Sequence, residues 1–251
     1  MHSIEISLLA FAAVFGGALL GVFLRSVLPQ HHLTSDTKDA VKLGMGLVGT
    51  MAALALGLLV ASAKGYYDAQ STELTQLSAN VVLLDRLLAH YGPETKETRE
   101  LLRGAVGRIA ESMWAHTSTH SGELGPSSAG GEIIHDKIRE LTPTNDAQRV
   151  VQSEALALAI SLGQTRWLMF AQSSIAVSIP LLVVLVAWLT IIFISFGVFA
   201  PPNATAIISL CAAALSVSSA VFLILEMYSP YSGVIQLSDA PLRIALAQLG
   251  Q

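Results

Sequence analysis

Between Arg166 and Glu226 the chain reads RWLMFAQSSIAVSIPLLVVLVAWLTIIFISFGVFAPPNATAIISLCAAALSVSSAVFLILE, with no Asp, Glu, Lys or Arg between the two ends. No ordinary soluble core runs so long without a charge, whereas two bilayer spans of about 20 residues each fit inside it. Pro201 and Pro202 stop one helix and Asn203 can start the next, so the stretch divides into apolar segments from Pro180 to Phe199 and from Ala204 to Leu225. A link that short predicts an antiparallel hairpin.

Two further apolar segments precede it, from Ile6 to Leu24 and from Leu43 to Ala63. Each matches the thickness of hydrocarbon at the rise of a helix. In lipid the peptide groups must be satisfied inside the segment, and none of the four shows the alternation of a barrel strand, so all four are expected to be helices. The whole composition agrees: 53% of the 251 residues are hydrophobic and 13% charged, against about 25% charged in a soluble domain. Glu5 and the lack of a small-x-small site after Arg25 favour a span over a cleaved signal for the first segment.

The polar residues gather elsewhere. Residues 64–172 carry ten basic and thirteen acidic side chains, and their apolar residues fall at helical spacing. Tyr67, Leu74, Leu77, Val81, Leu84, Leu88 and Tyr91 draw a seam along one face. No Pro or Gly run separates this seam from the second span, so one helix from about Lys42 to His90 is expected. Gly92 and Pro93 end it and begin another, with Glu94 and Glu97 in its first turn and an end near His116. The Ser-, Gly- and Thr-rich stretch from Thr117 to Gly131 predicts a mobile loop. A short helix from Glu132 to Leu141 and a longer one from near Asn145 toward the third span complete the region, and Pro180 kinks or restarts the latter.

The fold class is therefore an all-α membrane protein with four transmembrane helices and a soluble helical domain between the second and third. The segments are a first hairpin (1–63), the soluble domain (64–172), a second hairpin (173–226) and a tail (227–251) whose amphipathic piece, Leu242 to Leu249, packs on the soluble domain or lies at the interface. An even number of spans puts both termini and the soluble domain on one side. Lysines and arginines do not choose that side, and we assign it to the cytoplasm because the soluble part has no disulfides.

The second span differs from the other three. Gly46, Thr50, Ala53, Gly57 and Ala61 recur at steps of four, three, four and four and share one face. Such a face permits close helix packing; alternatively it surrounds an axial pathway in a ring of identical subunits, with the Thr50 hydroxyl toward the axis. Lys42 and Lys64 would then ring the two mouths and favour anions, or else snorkel to the interface.

Other chemistries find little support. Cys211, the one cysteine, lies in the fourth apolar segment, so no intrachain disulfide forms. The formal net charge is -4 and the basic residues are scattered, which excludes an electrostatic footprint for nucleic acid. His31 and His32 are adjacent and do not face one site, so no metal or other cofactor is expected. Glu5 and Glu226 are expected at headgroup level. Asp85 and Arg86 lie near the seam, either as solvated charges or in a buried pairing that fixes helix register. There is no Gly-rich phosphate loop, Cys-x-x-Cys, His-Glu-x-x-His or Gly-x-Ser-x-Gly, and an enzyme is not expected.

Long strings of the chain resemble the bacterial membrane proteins called bestrophin-like. They include HLTSDTKDAVKLGMGLVGTMAALALGLLVASAKG (His32 to Gly65), LLDRLLAHYGPETKETR (Leu83 to Arg99), QTRWLM (Gln164 to Met169) and SIPLLVVLVAWLTIIFISFGVFAPPNAT (Ser178 to Thr205). ALSVSSAVFLILEM (Ala214 to Met227) and PLRIALAQLG (Pro241 to Gly250) continue the match. The resemblance implies the layout of bestrophins, pentameric anion channels whose second span lines the pore and whose helices continue into a cytosolic domain. The acidic calcium clasp and aromatic-rich neck of animal bestrophins have no counterpart. The expectation is a homo-oligomeric channel in the inner membrane, in contact with lipid and ions. The alternative is a non-conducting scaffold or sensor that binds a partner through the seam of its soluble helices.

Overall fold

In a computed structural model of the chain, residues 3–29, 34–114, 130–173 and 178–251 are described. The loop expected from Thr117 to Gly131 falls almost wholly outside them, as do His31 and His32. The described residues form helices and no strand: α1 (Ser3–Val27), α2 (Ser35–Tyr91), a 3-10 turn (Pro93–Thr95), α3 (Lys96–Trp114), α4 (Gly130–Arg139), α5 (Asp146–Ser173), α6 (Ile179–Phe199), α7 (Ala204–Met227) and α8 (Ala240–Gln248). Four of them, α1, α2, α6 and α7, are long and apolar enough to cross a membrane. Each contains one of the four apolar segments.

Element boundaries follow local chemistry. Pro180 sits in the first turn of α6, after Ser178 at the cap, so it opens a new helix. Asn203 caps α7 by accepting a hydrogen bond from the Ala206 amide at 2.8 Å. At the end of α2, Gly92 takes a φ of 143, a backbone conformation that L side chains rarely adopt. The buried Thr95 then closes the corner, its hydroxyl donating to the carbonyls of Leu88 (2.6 Å) and Gly92 (2.8 Å). That 3-10 turn delays the next helix to Lys96, beyond the expected Pro93.

The chain divides into two compact units, residues 1–67 with 176–229, and residues 68–175 with 230–251; α2 contributes to both. In the first, α1 packs along α6 and α7. Gly21 of α1 and Gly197 of α6 meet backbone to backbone: a Cβ on Gly21 would fall on the Ile194 carbonyl, and one on Gly197 on the Ala18 carbonyl. Small residues permit such a crossing in membrane helices. The register runs parallel, since Ala10 shares a cluster with Leu182 and Ala18 with Phe193. Against α7 it runs the other way: the Ser218 hydroxyl donates to the Ser7 carbonyl at 2.6 Å, and Val14 packs with Ala214. Hence α6 and α7 are antiparallel. Arg25 donates to the Ala200 carbonyl, joining the ends of α1 and α6.

The second unit has its own core. Leu74, Leu77, Val81, Leu84 and Leu88 of α2 are buried against Leu102 and Val106 of α3, Ile134 and Ile138 of α4, Ala155 and Met169 of α5, and Leu242 and Leu249 at α8. At roughly 1.5 to 3 kcal/mol for each buried large aliphatic side chain, this cluster is the main favourable contribution to the unit. The seam read from the sequence is thus covered by the chain itself. A polar chain crosses the same unit: Tyr231 donates to Gln70 (2.7 Å), Gln70 to Gln172 (2.8 Å), and Gln172 to Glu73 (2.8 Å).

Candidate functional site: the open face of α2

Within the first unit α2 has two unlike faces. On one, Ala52, Leu59 and Ala63 are buried against Leu185 and Ile192 of α6 and Ile224 of α7. The Ser62 and Tyr228 hydroxyls lie 3.0 Å apart, and the Tyr66 and Tyr228 rings stack with centroids 5.3 Å apart. These anchors fix the rotation of α2. With 3.6 residues per turn, the remaining face is then determined.

That face carries every small residue singled out by spacing. Gly46, Thr50, Ala53, Gly57 and Ala61 are all exposed. A Cβ built on Gly46 or Gly57 meets nothing within 4 Å, in contrast with Gly21 and Gly197. Among the described residues the glycines of α2 therefore serve no helix crossing inside this chain. The Thr50 hydroxyl donates to its own helix at the Leu47 carbonyl, 2.7 Å away, which satisfies the donor and leaves oxygen lone pairs outward. Beside the small stripe runs a row of exposed leucines, Leu43, Leu47, Leu54 and Leu58. Lys42 and Lys64 flank the stripe; both are exposed, Lys42 lies 3.3 Å from Asp39, and Lys64 is 5.9 Å from the Tyr67 ring centroid.

Charges the sequence left undecided are resolved. Asp85 is buried and accepts two hydrogen bonds from Arg99 of α3, both 2.8 Å, while Arg86 is exposed. The Gly250 amide also donates to Asp85 at 3.1 Å, and Arg99 donates to the Gln251 carbonyl at 3.2 Å. Burial pushes the Asp85 carboxyl up, but the bonds from Arg99 and Gly250 and the charges of Arg99 and Arg103 outweigh it and hold it below the usual carboxylate range. Arg99 is raised, chiefly by its bonds to Asp85. The partner was invisible in the sequence because it lies on another helix, and the place of Asp85 near the seam left its burial undecided. Glu226 is buried in the last turn of α7, which its position next to a span end did not reveal. Among the described residues no group of three or more His, Cys, Asp or Glu is placed to hold a metal ion.

Comparison with known proteins bears on this arrangement. The sequence model described as Bestrophin-like domain matches residues 11–242. No curated protein matches the chain. Two solved structures share its fold, both of a bacterial bestrophin homologue from Klebsiella pneumoniae. An isoleucine-to-threonine variant aligns with a TM-score of 0.60 at 13% identity, over 96% of this chain and 97% of the other. A tyrosine-to-alanine variant aligns with a TM-score of 0.56 at 12% identity, over 94% and 97%. With the family match spanning nearly all of its length and four helices apolar enough to cross a bilayer, the chain belongs to the bestrophin-like family of membrane proteins.

Proposed function

We propose that the protein is a homo-oligomeric membrane channel for anions in which the open face of α2 lines an axial pathway. One observation carries the reading: Gly46, Thr50, Ala53, Gly57 and Ala61 form a continuous small-residue stripe that the chain leaves uncovered. Symmetric copies around an axis would give that stripe a use, since small side chains leave room for a solvated ion and Thr50 supplies an oxygen-bearing group. The exposed leucine row beside it would meet the neighbouring subunit. Lys42 and Lys64 would place rings of positive charge at the two mouths and favour anions. The anion-channel character of bestrophins agrees with this sign.

In this reading the protein resides in the inner membrane, with residues 64–172 and both termini on the cytoplasmic side and lipid around α1, α6 and α7. A scaffold that recruits its partner through the α2 seam is the weaker reading, because Leu74, Leu77, Val81, Leu84 and Leu88 are already buried in the chain's own core.

The test is current through planar bilayers containing the purified protein, with Gly57→Leu as the key variant. Its side chain would enter open space, so folding should persist while conductance falls by about tenfold or more. Absence of current from the unaltered protein, or full conductance in Gly57→Leu, would remove the channel reading. Counting subunits by imaging supplies a second check: a dimer leaves no axial ring.

A further inference from the structure

In the second unit α2, α5 and the tail that follows α7 are joined by one chain of side chains. The Tyr231 hydroxyl donates to Gln70 Oε1, Gln70 Nε2 to Gln172 Oε1, and Gln172 Nε2 to Glu73 Oε1, at 2.7, 2.8 and 2.8 Å. Gln70, in the middle, is fully buried. Every donor points toward Glu73, because a carboxylate only accepts. Gln172 must turn its N–H to Glu73, which turns its oxygen to Gln70 and the Gln70 oxygen to Tyr231. One ionisable residue of α2 thus sets the sense in which α5 and the tail are bonded.

The chain is incomplete at the end that sets it. Glu73 Oε2 is buried without a hydrogen-bond partner, so among the described residues the carboxylate has a single donor, Gln172. An oxygen left unbonded costs more on a charged group than on a neutral one. The charged groups of the same elements are engaged elsewhere. On α5, Arg166 lies against Gly131 of α4, and no charged residue follows it before Glu226. The tail has none between Glu226 and Asp239. On α2, Asp68 and Arg86 are exposed and Asp85 is bonded to Arg99.

We propose that Glu73 is the proton-responsive end of a latch that reverses its sense on acidification. A proton taken from solvent onto Glu73 Oε1 makes that oxygen a donor to Gln172 Oε1. The Gln172 and Gln70 amides then turn over, and Tyr231 changes from donor to acceptor. The unbonded Oε2 now belongs to a neutral acid, which removes the larger cost. In exchange the Tyr231 hydrogen loses its acceptor on Gln70, so the tail is held by a poorer bond. Trp114 marks the stretch affected: its ring lies edge-on to Tyr231 with centroids 6.0 Å apart, and its N–H donates to the Leu237 carbonyl at 3.0 Å. The latch is independent of conduction, so a silent channel would leave it standing.

Infrared difference spectra between neutral and acidic pH, taken on the full-length protein in lipid nanodiscs, read the proton. The carboxylic-acid band formed on acidification should contain a component that is missing in Glu73→Gln. Amide exchange of residues 230–239, corrected for its intrinsic pH dependence, reads the latch: protection should fall about fivefold on acidification, the worth of one hydrogen bond. Asp85 binds Gly250, so its own acid response falls after α8 and not in this stretch. In Glu73→Gln, whose amide can donate or accept at any pH, protection of 230–239 should no longer depend on pH. Tyr231→Phe should keep the acid band but lose the pH-dependent protection, and it decides the matter if Glu73→Gln does not fold. An unchanged acid band in Glu73→Gln, or the same pH-dependent protection in either variant as in the unaltered protein, would overturn the proposal.

Discussion

Asp85 is the residue on which the corner between α2 and α3 turns. Its side chain is 3% exposed and that of Arg99 is 20% exposed, so each charge has lost most of its water and depends on the other. Replacing Asp85 by Asn would leave the Arg99 guanidinium without its carboxylate and should cost about 3 kcal/mol, near the range for one broken partner of a buried pair. The Gly250 amide and Gln251 carbonyl bind the same two residues, so the loss should also free the end of the chain, seen as faster amide exchange after α8. The pH dependence has a definite sign. Because the folded-state pKa of Asp85 lies below its ordinary value of 3.8, the pair's contribution is complete above that value and disappears as pH falls through the depressed one. Thermal unfolding scanned from neutral to acidic pH should show this acid loss in the unaltered protein and a smaller loss in Asp85→Asn. Equal acid sensitivity in the two would mean that other carboxylates dominate.

At the scale of elements, glycine has opposite meanings in α1 and α2. Gly21 and Gly197 are places where two backbones touch, so Gly21→Val or Gly197→Val must push α1 and α6 apart. A cost of about 3 kcal/mol or more is expected, the upper end for overpacking, because backbone rather than a flexible side chain must yield. Gly46→Ala and Gly57→Ala meet empty space and should leave stability unchanged or raise it by about 0.8 to 1 kcal/mol through helix propensity. Thermal unfolding of the four variants in one detergent checks the contrast. Composition alone could not have made this distinction, since all four glycines lie in apolar spans. The reason is physical: hydrophobic periodicity records which side of a helix avoids water, and within a bilayer lipid and protein are both apolar, so the pattern that locates a span does not say what it touches. In the second unit polar residues occupy the faces turned from the core, and there the seam from Leu74 to Leu88 was readable residue by residue. Pairings across long separations, such as Asp85 with Arg99 or Ser7 with Ser218, leave no periodic trace and needed the fold.

For the molecule as a whole, the channel reading makes electrostatic selectivity a property of the assembly. One Lys42 or Lys64 on a single chain is an exposed charge worth little. Repeated around an axis, the same residues would form rings whose potentials add where an ion must pass. Salt screens such rings strongly, because the Debye length shortens from about 30 Å at 0.01 M to about 3 Å at 1 M. Reversal potentials measured under a salt gradient should therefore favour anions most at low ionic strength and progressively less toward 1 M. Lys42→Glu and Lys64→Glu should each move the reversal potential toward cations, and the double variant should move it further than either alone. Lys42 already lies 3.3 Å from Asp39, so part of its field is cancelled. Asp39→Asn should consequently strengthen anion preference through the Lys42 ring without touching the stripe itself. If the charge reversals left the reversal potential unmoved at low salt while conductance persisted, the lysines would be interfacial anchors, and selectivity would have to arise along the stripe from Gly46 to Ala61.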